Sequence, residues 1–387
     1  MRPTLLGLVA DDLTGAGDAA VGFAEAGWTA VLALRPSHLS SVRPDPTVLA
    51  VSTGSRAALD DEAATRTARA VEAVVAAGAE RLYLKIDSTV RGSVAGQVDG
   101  ALAAWSRVHP DARAVLCPAF PAQLRTVVDA HVLVAGAPLA ASAAASDPVT
   151  PRTTGDLTQV FPGAVRRPRV ELDGPPGSRL VVDAHGDADL DELALRLDRA
   201  GPEVVMVGSG GLAAALGRRW SEPRALWSAE GVRGRVLVAV SSLHPVTGAQ
   251  LEQLRGGQHA TGVDVLTTTT ESTTPAAAAT GLALRVGTAL ARGRYEALVV
   301  VGGDGAAAIL AGLAADSVDI DGAVVPGCPT GIVSGGRADG LRVVTKSGGF
   351  GGPAAVEQII HELRARRAHP VTENPPAGSR PTQKETP

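Results

Sequence analysis

Two adjacent carboxylates stand first among the residues that could do chemistry. Asp11 and Asp12 lie in the run Ala10-Asp11-Asp12-Leu13-Thr14-Gly15-Ala16-Gly17-Asp18, directly after a short apolar stretch. Carboxylates at a strand end can accept hydrogen bonds from substrate hydroxyls or take a proton from one. In open α/β sheets that is where ligands bind. Thr14 and Gly15 open a helix whose free N–H groups favour an anion. Helix capping by Asp12 is the plainer reading, and it needs only one of the two carboxylates. A second polar strand end, Lys85-Ile86-Asp87-Ser88-Thr89-Val90-Arg91-Gly92, groups two cations, a carboxylate and two hydroxyls. Arg91 can grip a carboxylate through two hydrogen bonds, and Asp87 can orient or deprotonate a hydroxyl. A solvated loop of surface ion pairs is the alternative; Lys85 at the end of an otherwise apolar strand argues against it. The third polar end, Ser52-Thr53-Gly54-Ser55-Arg56, reads first as a plain loop.

Three glycine-rich turns add a different chemistry: Val207-Gly208-Ser209-Gly210-Gly211-Leu212, Val301-Gly302-Gly303-Asp304-Gly305 and Thr345-Lys346-Ser347-Gly348-Gly349-Phe350-Gly351-Gly352. Glycine lets backbone N–H groups approach phosphate oxygens, and a helix start adds a favourable dipole. A single such turn says little, because tight strand–helix turns use glycine anyway. Three of them, one with a lysine, point to a nucleoside triphosphate. None has the Walker A spacing or the dinucleotide-binding fingerprint. No histidine pair has metal-ligand spacing, and there is no nucleophile elbow. His244, at a strand–helix junction, reads as a cap or surface residue.

The elements that must carry these turns alternate. Strands are expected at 5–10, 28–34, 47–52, 81–86, 112–117, 179–182 and 203–207, and helices at 14–27, 60–77 and 93–108. After a Pro- and Arg-containing stretch at 217–234 a second series begins. It has strands at 235–240, 297–301, 322–325 and 341–344, and helices from Pro245 and at 281–292, 306–315 and 353–366. Near-continuous apolar strands alternating with helices predict parallel α/β sheets, and 387 residues suffice for two domains. The segment 267–274 reads as a loop.

Composition removes several classes. A net charge of −4 leaves no basic field for nucleic acid or an anionic membrane, and 3% aromatic residues leave few platforms for base stacking. Cys117 and Cys328 stand singly, which fits neither a disulfide framework nor a zinc site. The N-terminal apolar run is too short for a signal peptide, and the stretch 132–145 is too short and broken to span a bilayer. A cytoplasmic protein is expected.

Taken together and in order, the motifs resemble the four-carbon acid sugar kinase family over about residues 4–362. The segments that carry the resemblance are ADDLTGAGD at 10–18, KIDSTVRG at 85–92, CPAFPAQLRTVVDAHVLVAGAPL at 117–139, GSGGL at 208–212, PVTGAQ at 245–250, VGGDG at 301–305, PGCPTG at 326–331 and KSGGFG at 346–351. The resemblance implies two α/β domains, each a mainly parallel sheet flanked by helices, with the active site in the cleft between them. An acid-sugar domain would span 1–220, a linker 221–234, a nucleotide domain 235–367 and a disordered tail 368–387. The implied substrate contacts are Asp11, Asp12, Thr14, Ser55, Arg56, Lys85, Asp87, Ser88, Arg91 and Gly210. Among them Asp12 or Asp87 would accept the hydroxyl proton, with Asp12 preferred, and Arg91, with Arg56 or Lys85, would clamp the substrate carboxylate. The implied ATP contacts are Ser242, His244, Thr247, Gly302, Gly303, Asp304, Gly305, Gly327, Lys346, Gly348 and Gly349. The reaction would move the γ-phosphoryl of ATP, with Mg²⁺, to a hydroxyl of threonate, erythronate or a 3-oxo-tetronate, and closure of the cleft would exclude water. The implied partners are the sugar acid and ATP, with neither nucleic acid nor membrane; a homodimer stays open, and no metal ligand is assigned.

The sequence departs from the resembled pattern in two places. A Gly-Ser-Cys-Ser run is here Ser241-Ser242-Leu243-His244, and GGDT is GGDG, so Gly305 lacks a hydroxyl. They motivate an alternative, a non-catalytic acid-sugar sensor with a degenerate ATP site. GGDG alone would also suit a lipid, diacylglycerol or NAD-type kinase, which nothing else in the chain supports.

Overall fold

A computed structural model describes residues 2–35, 46–147, 149–168, 171–221, 231–242, 244–257, 261–268 and 274–365. Most of the expected linker (222–230) and the expected tail lie outside them.

In the first half β1 (Leu5–Ala10), α1 (Leu13–Ala24), β2 (Thr29–Ala33), β3 (Thr47–Ser52), α2 (Asp60–Ala76), β4 (Arg81–Lys85), α3 (Val94–Trp105) and β5 (Arg113–Cys117) alternate. A small antiparallel ribbon follows, β6 (Arg125–Val128), β7 (His131–Val134) and β8 (Ala137–Pro138). Then come α4 (Leu157–Val160), β9 (Val165–Arg167), β10 (Arg179–Val182), α5 (Asp187–Arg199), β11 (Val204–Gly208) and α6 (Gly210–Arg219). The second half has β12 (Arg235–Val240), α7 (Pro245–Gly256), β13 (Val263–Thr267), α8 (Pro275–Arg292), β14 (Tyr295–Val301), α9 (Gly303–Gly312), β15 (Ser317–Val325), β16 (Cys328–Ser334), β17 (Arg342–Lys346) and α10 (Ala355–Ala365).

Two parallel blocks result, as the alternation predicts. In the first, the order is β2-β3-β1-β4-β11-β5-β10-β9; in the second, β13-β12-β14-β17. Their inner strands are buried on both faces. In β12, Val236, Val238 and Val240 pack in the cluster that includes Leu254 of α7 and Ile359 of α10, while Leu237 and Ala239 join the main core with Leu282 of α8 and Ile309 of α9. The blocks are also joined edge to edge, which the sequence did not reveal: β15 pairs antiparallel with β2, β16 with β15 and β17 with β16. Three reversals set the second block's strands against the first, so in a flat sheet the two sets of carboxyl ends would lie on opposite edges. Sheets twist, however, and this one coils around α1, which packs against β2, β3, β15, β16, β17 and α9. The carboxyl ends therefore meet above the start of α1.

β16 was not expected as a strand; pairing on both sides overrides the low strand propensity of Pro329 and Gly331. β13 and the ribbon were likewise missed, and α8 starts six residues earlier than expected, at Pro275.

Candidate active site

On the first block, Asp12 caps α1. Its Oδ1 accepts from Gly15 N at 2.8 Å, and Thr14 Oγ1 donates to Oδ2 at 2.6 Å. Capping is only part of its situation. Arg56 reaches over from the end of β3 and holds both neighbouring carboxylates. Nε and Nη2 donate to Asp11 at 2.6 and 2.9 Å, and Nη1 and Nη2 donate to Asp12, both at 3.0 Å. The loop expected to be plain thus supplies the cation that lets two carboxylates share one strand end. Burial lifts the Asp11 carboxyl above its ordinary value, and the Arg56 charge offsets this only in part. Burial also works to lift Asp12, but Arg56, Lys85 and the bonds from Thr14 and Gly15 outweigh it and hold Asp12 below the ordinary value.

Asp87, beyond β4, takes a similar grip from Arg91. Nε donates to Oδ2 at 3.0 Å and Nη2 to Oδ1 at 2.7 Å, while Nη1 goes to Asp147 at 2.7 Å. Thr89 adds its N–H and hydroxyl. Burial again opposes the charge, but Arg91 and Arg56 hold Asp87 well below the ordinary carboxylate value. Lys85 is buried, and a Cβ on Gly15 would lie 3.1 Å from its Nζ. Ser55 is fully buried and bonded to Thr53, so its hydroxyl braces the loop. Ser88 is half-buried beside Asp87. Gly210 opens α6, where a side chain would strike Asp18, whose Oδ2 lies 2.5 Å from the Cβ position.

On the second block three turns interlock. A Cβ on Gly348 would lie 2.0 Å from Ser242 Oγ, and one on Gly349 would lie 3.3 Å from the His244 ring. Thr247 Oγ1 donates to Gly348 O at 3.0 Å, and Gln250 Nε2 to the carbonyls of Phe350, Gly351 and Gly352. Gly302 has φ +117°, a conformation open to glycine. Gly327 sits under the Phe350 ring, and Asp304 is exposed in the first turn of α9. Lys346 is fully buried at the end of β17, with its ammonium donating to the carbonyls of Ser347 and Gly348; burial pushes its pKa down to about 8. Burial pushes the Cys328 thiol nearby up to about 12.

The departures from the resembled pattern have local explanations. His244 caps α7, with Nδ1 accepting from Val246 N at 3.3 Å, the task a serine would perform there. A Cβ on Gly305 would lie 2.2 Å from Ser241 Oγ and 2.4 Å from Ser241 Cβ, so Ser241 occupies the space a side chain at 305 would need.

The two sides touch. A Cβ on Gly303 would lie 3.2 Å from Asp12 Oδ2 and 3.4 Å from Thr14 Oγ1. Asp12 of the first block therefore borders the glycine turn of the second, an arrangement suited to passing a group between two bound molecules. Sequence reasoning assigned no role to Asp18, Arg125, Asp147, Arg152 or Gln250. Asp18, Arg125 and Gln250 lay inside quoted segments, but only the fold brings 125, 147 and 152 to the loop at 87–92.

Comparison with known proteins agrees with this division. Residues 6–174 match the family model described as a sugar-binding N-terminal domain, and residues 258–356 match that of a nucleotide-binding C-terminal domain. The chain is 35% identical to the D-threonate kinase of Bordetella bronchiseptica over 94% of its own length and 98% of the relative's. It is 26% identical to the 3-oxo-tetronate kinase of Pseudomonas fluorescens, covering 95% and 99%. A Bordetella bronchiseptica structure, a domain-swapped dimer with citrate bound, is similar at 35% identity and a TM-score of 0.51, covering 95% of this chain and 100% of that one. A Salmonella typhimurium structure described as a putative tRNA synthase shares the fold, with a TM-score of 0.73 at 20% identity over 93% and 99%. With its motifs, its paired α/β blocks and relatives aligned over nearly their whole length, the chain belongs to the four-carbon acid sugar kinase family.

Proposed function

We propose that this protein transfers the γ-phosphoryl group of ATP to a hydroxyl of a four-carbon sugar acid of the threonate, erythronate or 3-oxo-tetronate type. The observation that carries the reading is the contact between Asp12 and the Gly302–Gly305 turn: the group that would orient the hydroxyl borders the turn that would hold the phosphates. The first block, within residues 1–220, would take the acid and the second, within 235–367, the nucleotide. Phosphoryl transfer demands positioning and charge stabilisation more than a strong base. A carboxylate held ionised by Arg56 and Lys85 suits that task, so Asp12 would orient the hydroxyl and accept its proton as transfer proceeds. Asp87, with every oxygen engaged, would fix Arg91 and the loop.

Among the described residues no cluster of three or more His, Cys, Asp or Glu side chains could hold a metal alone. Mg²⁺ does not need such a cluster, since it keeps waters and binds through one or two carboxylates and the phosphates. Asp304, in the first turn of α9, would be the carboxylate to hold it; when bound it would neutralise charge on the phosphates. Among the described residues no helix is long and apolar enough to cross a membrane, and we place the enzyme in the cytoplasm, where ATP is available. The swapped dimer of the Bordetella structure makes a homodimer the assembly to test by light scattering.

The deciding experiment is an ADP-release assay with Mg-ATP against D- and L-threonate, D- and L-erythronate and their oxo forms. One member should turn over, and Asp12→Asn in folded protein should lower kcat by about 10²–10⁴-fold. Because Asp12 is held low, the acid limb of kcat should fall below the ordinary carboxylate value of about 3.9. A limb above it would hand the role to Asp11 or Asp18, the carboxyls that burial raises. Tetronate binding without turnover on any member would leave a sensor.

A further inference from the structure

Four arginines surround the loop at 87–92, and three are fully engaged at Nε. Arg56 Nε donates to Asp11, Arg91 Nε to Asp87 and Arg152 Nε to the Val90 carbonyl. Arg56 and Arg91 also spend both terminal nitrogens on carboxylates. The remaining one, Arg125, differs. Its Nη1 is tied to the carbonyl and side-chain oxygens of Gln123, its Nε is buried with no partner, and its Nη2 has no hydrogen bond to any described residue. Nε and Nη2 form the side-on edge of a guanidinium, whose two parallel N–H bonds match a carboxylate.

The backbone aims this edge at the site. Arg125 and Phe120 exchange two backbone hydrogen bonds, and Phe120 packs beneath Gly210. Side chains two apart in a strand share a face. Arg125 therefore projects on the side of Val127, which is fully buried and exchanges backbone bonds with Ala184, just past the end of β10. Its charge is felt by both Asp87 and Arg91. Native structures rarely leave a buried donor of this kind without an acceptor.

Building on the acid-sugar reading above, we infer that Arg125 binds the carboxylate of the substrate through its Nε and Nη2 edge, and so selects acids over neutral sugars. Arg56 and Arg91 then serve to hold Asp11, Asp12 and Asp87 in place. A carboxylate on Arg125 would lie beside the ribbon β6–β8 and direct the carbon chain toward Lys85, Asp87 and Asp12.

The test compares D-threonate with D-threonamide, its uncharged counterpart, on the full chain by calorimetric binding and by ADP release. The native protein should bind the acid and discriminate against the amide. Arg125→Gln should weaken the acid by about 10- to 100-fold, raise its KM with kcat changed less than about threefold, and leave the amide unaltered, so that discrimination collapses. If Arg125→Gln does not fold, Arg125→Lys, which keeps the charge without the planar edge, should show a smaller loss in the same direction. Undiminished discrimination in the variant, or equal losses for acid and amide, would overturn the assignment. So would a native protein that binds no tetronate. Acid binding with discrimination but without turnover would sink the kinase reading and leave this one standing.

Discussion

Lys346, at the end of β17, could reach a phosphate or serve the structure, and its surroundings favour neither a phosphate contact nor an ion pair in the free chain. A lysine beside a glycine turn suggests a cation reaching for phosphate. Here the ammonium is buried beneath the turn and spends its bonds on two carbonyls, with no carboxylate partner among the described residues. Burial disfavours its charged form, which moves the pKa from 10.5 to about 8. The sign of the linkage follows. Below pH 8 the folded chain carries the full cost of the buried cation. Between about 8 and 10.5 the unfolded chain binds more protons than the folded one, so that cost is relieved as pH rises and is gone above about 10.5. Phosphates arriving above the turn would favour the ammonium again. Mg-ATP binding at pH 8 should therefore take up about half a proton, measured by calorimetry in buffers of different ionisation enthalpy, and Lys346→Met should abolish the uptake. Equal values for the two proteins would make Lys346 a prop for the turn and nothing more.

At the scale of elements, the proposed nucleotide cradle consists of strand ends pressed together until single atoms decide what fits. Ser241, at the end of β12, and Gly305, in the first turn of α9, make the case. Because Ser241 Cβ itself lies 2.4 Å from the Cβ position of residue 305, no rotation of the serine clears the space. Gly305→Thr should overpack the junction at a cost of about 1–3 kcal/mol, seen as a lower Tm and a higher KM for ATP. Adding Ser241→Gly should recover most of both losses, and a double-mutant cycle would read the coupling. Additive losses would mean that the two positions are independent. The pair also marks what the sequence could and could not tell. The strand ends at Asp11, Lys85, Gly302 and Lys346 were legible, because an apolar run stopping at a polar residue or a glycine is a local signal, whereas the one that carries Arg56 read as a plain loop. The clamp of Arg56 on Asp11 and Asp12, the saturation of Arg91 and the meeting of Ser241 with Gly305 were not, since each joins residues far apart in the chain. β16 was hidden by its own proline and glycine, and with it the joining of the two blocks.

For the whole molecule that joining bears on how water is kept from the transferring phosphoryl group. Two domains on a free hinge would close over their ligands. Here β2 and β15 pair in register from Ala33↔Ser317 to Ala30↔Ile320, and α1 packs against elements of both blocks. A large closure would have to break backbone bonds of a buried sheet edge and expose the apolar face of α1, with no ligand contact yet formed to compensate. Smaller pieces are tied to each block. The ribbon β6–β8 is tied to the end of β10 through Val127 and Ala184, and the 346–352 turn is tied down by Thr247 and Gln250. Local ordering of these pieces can exclude water while the sheet stays whole. Solution scattering should then give the same radius of gyration for the free chain and for the chain with a tetronate and a non-hydrolysable ATP analogue. Hydrogen exchange should slow at 119–138 and 346–352 when both ligands bind. A clear contraction on ligand binding, with faster exchange along β2 and β15, would mean that the seam opens and that the blocks move as separate bodies during the reaction.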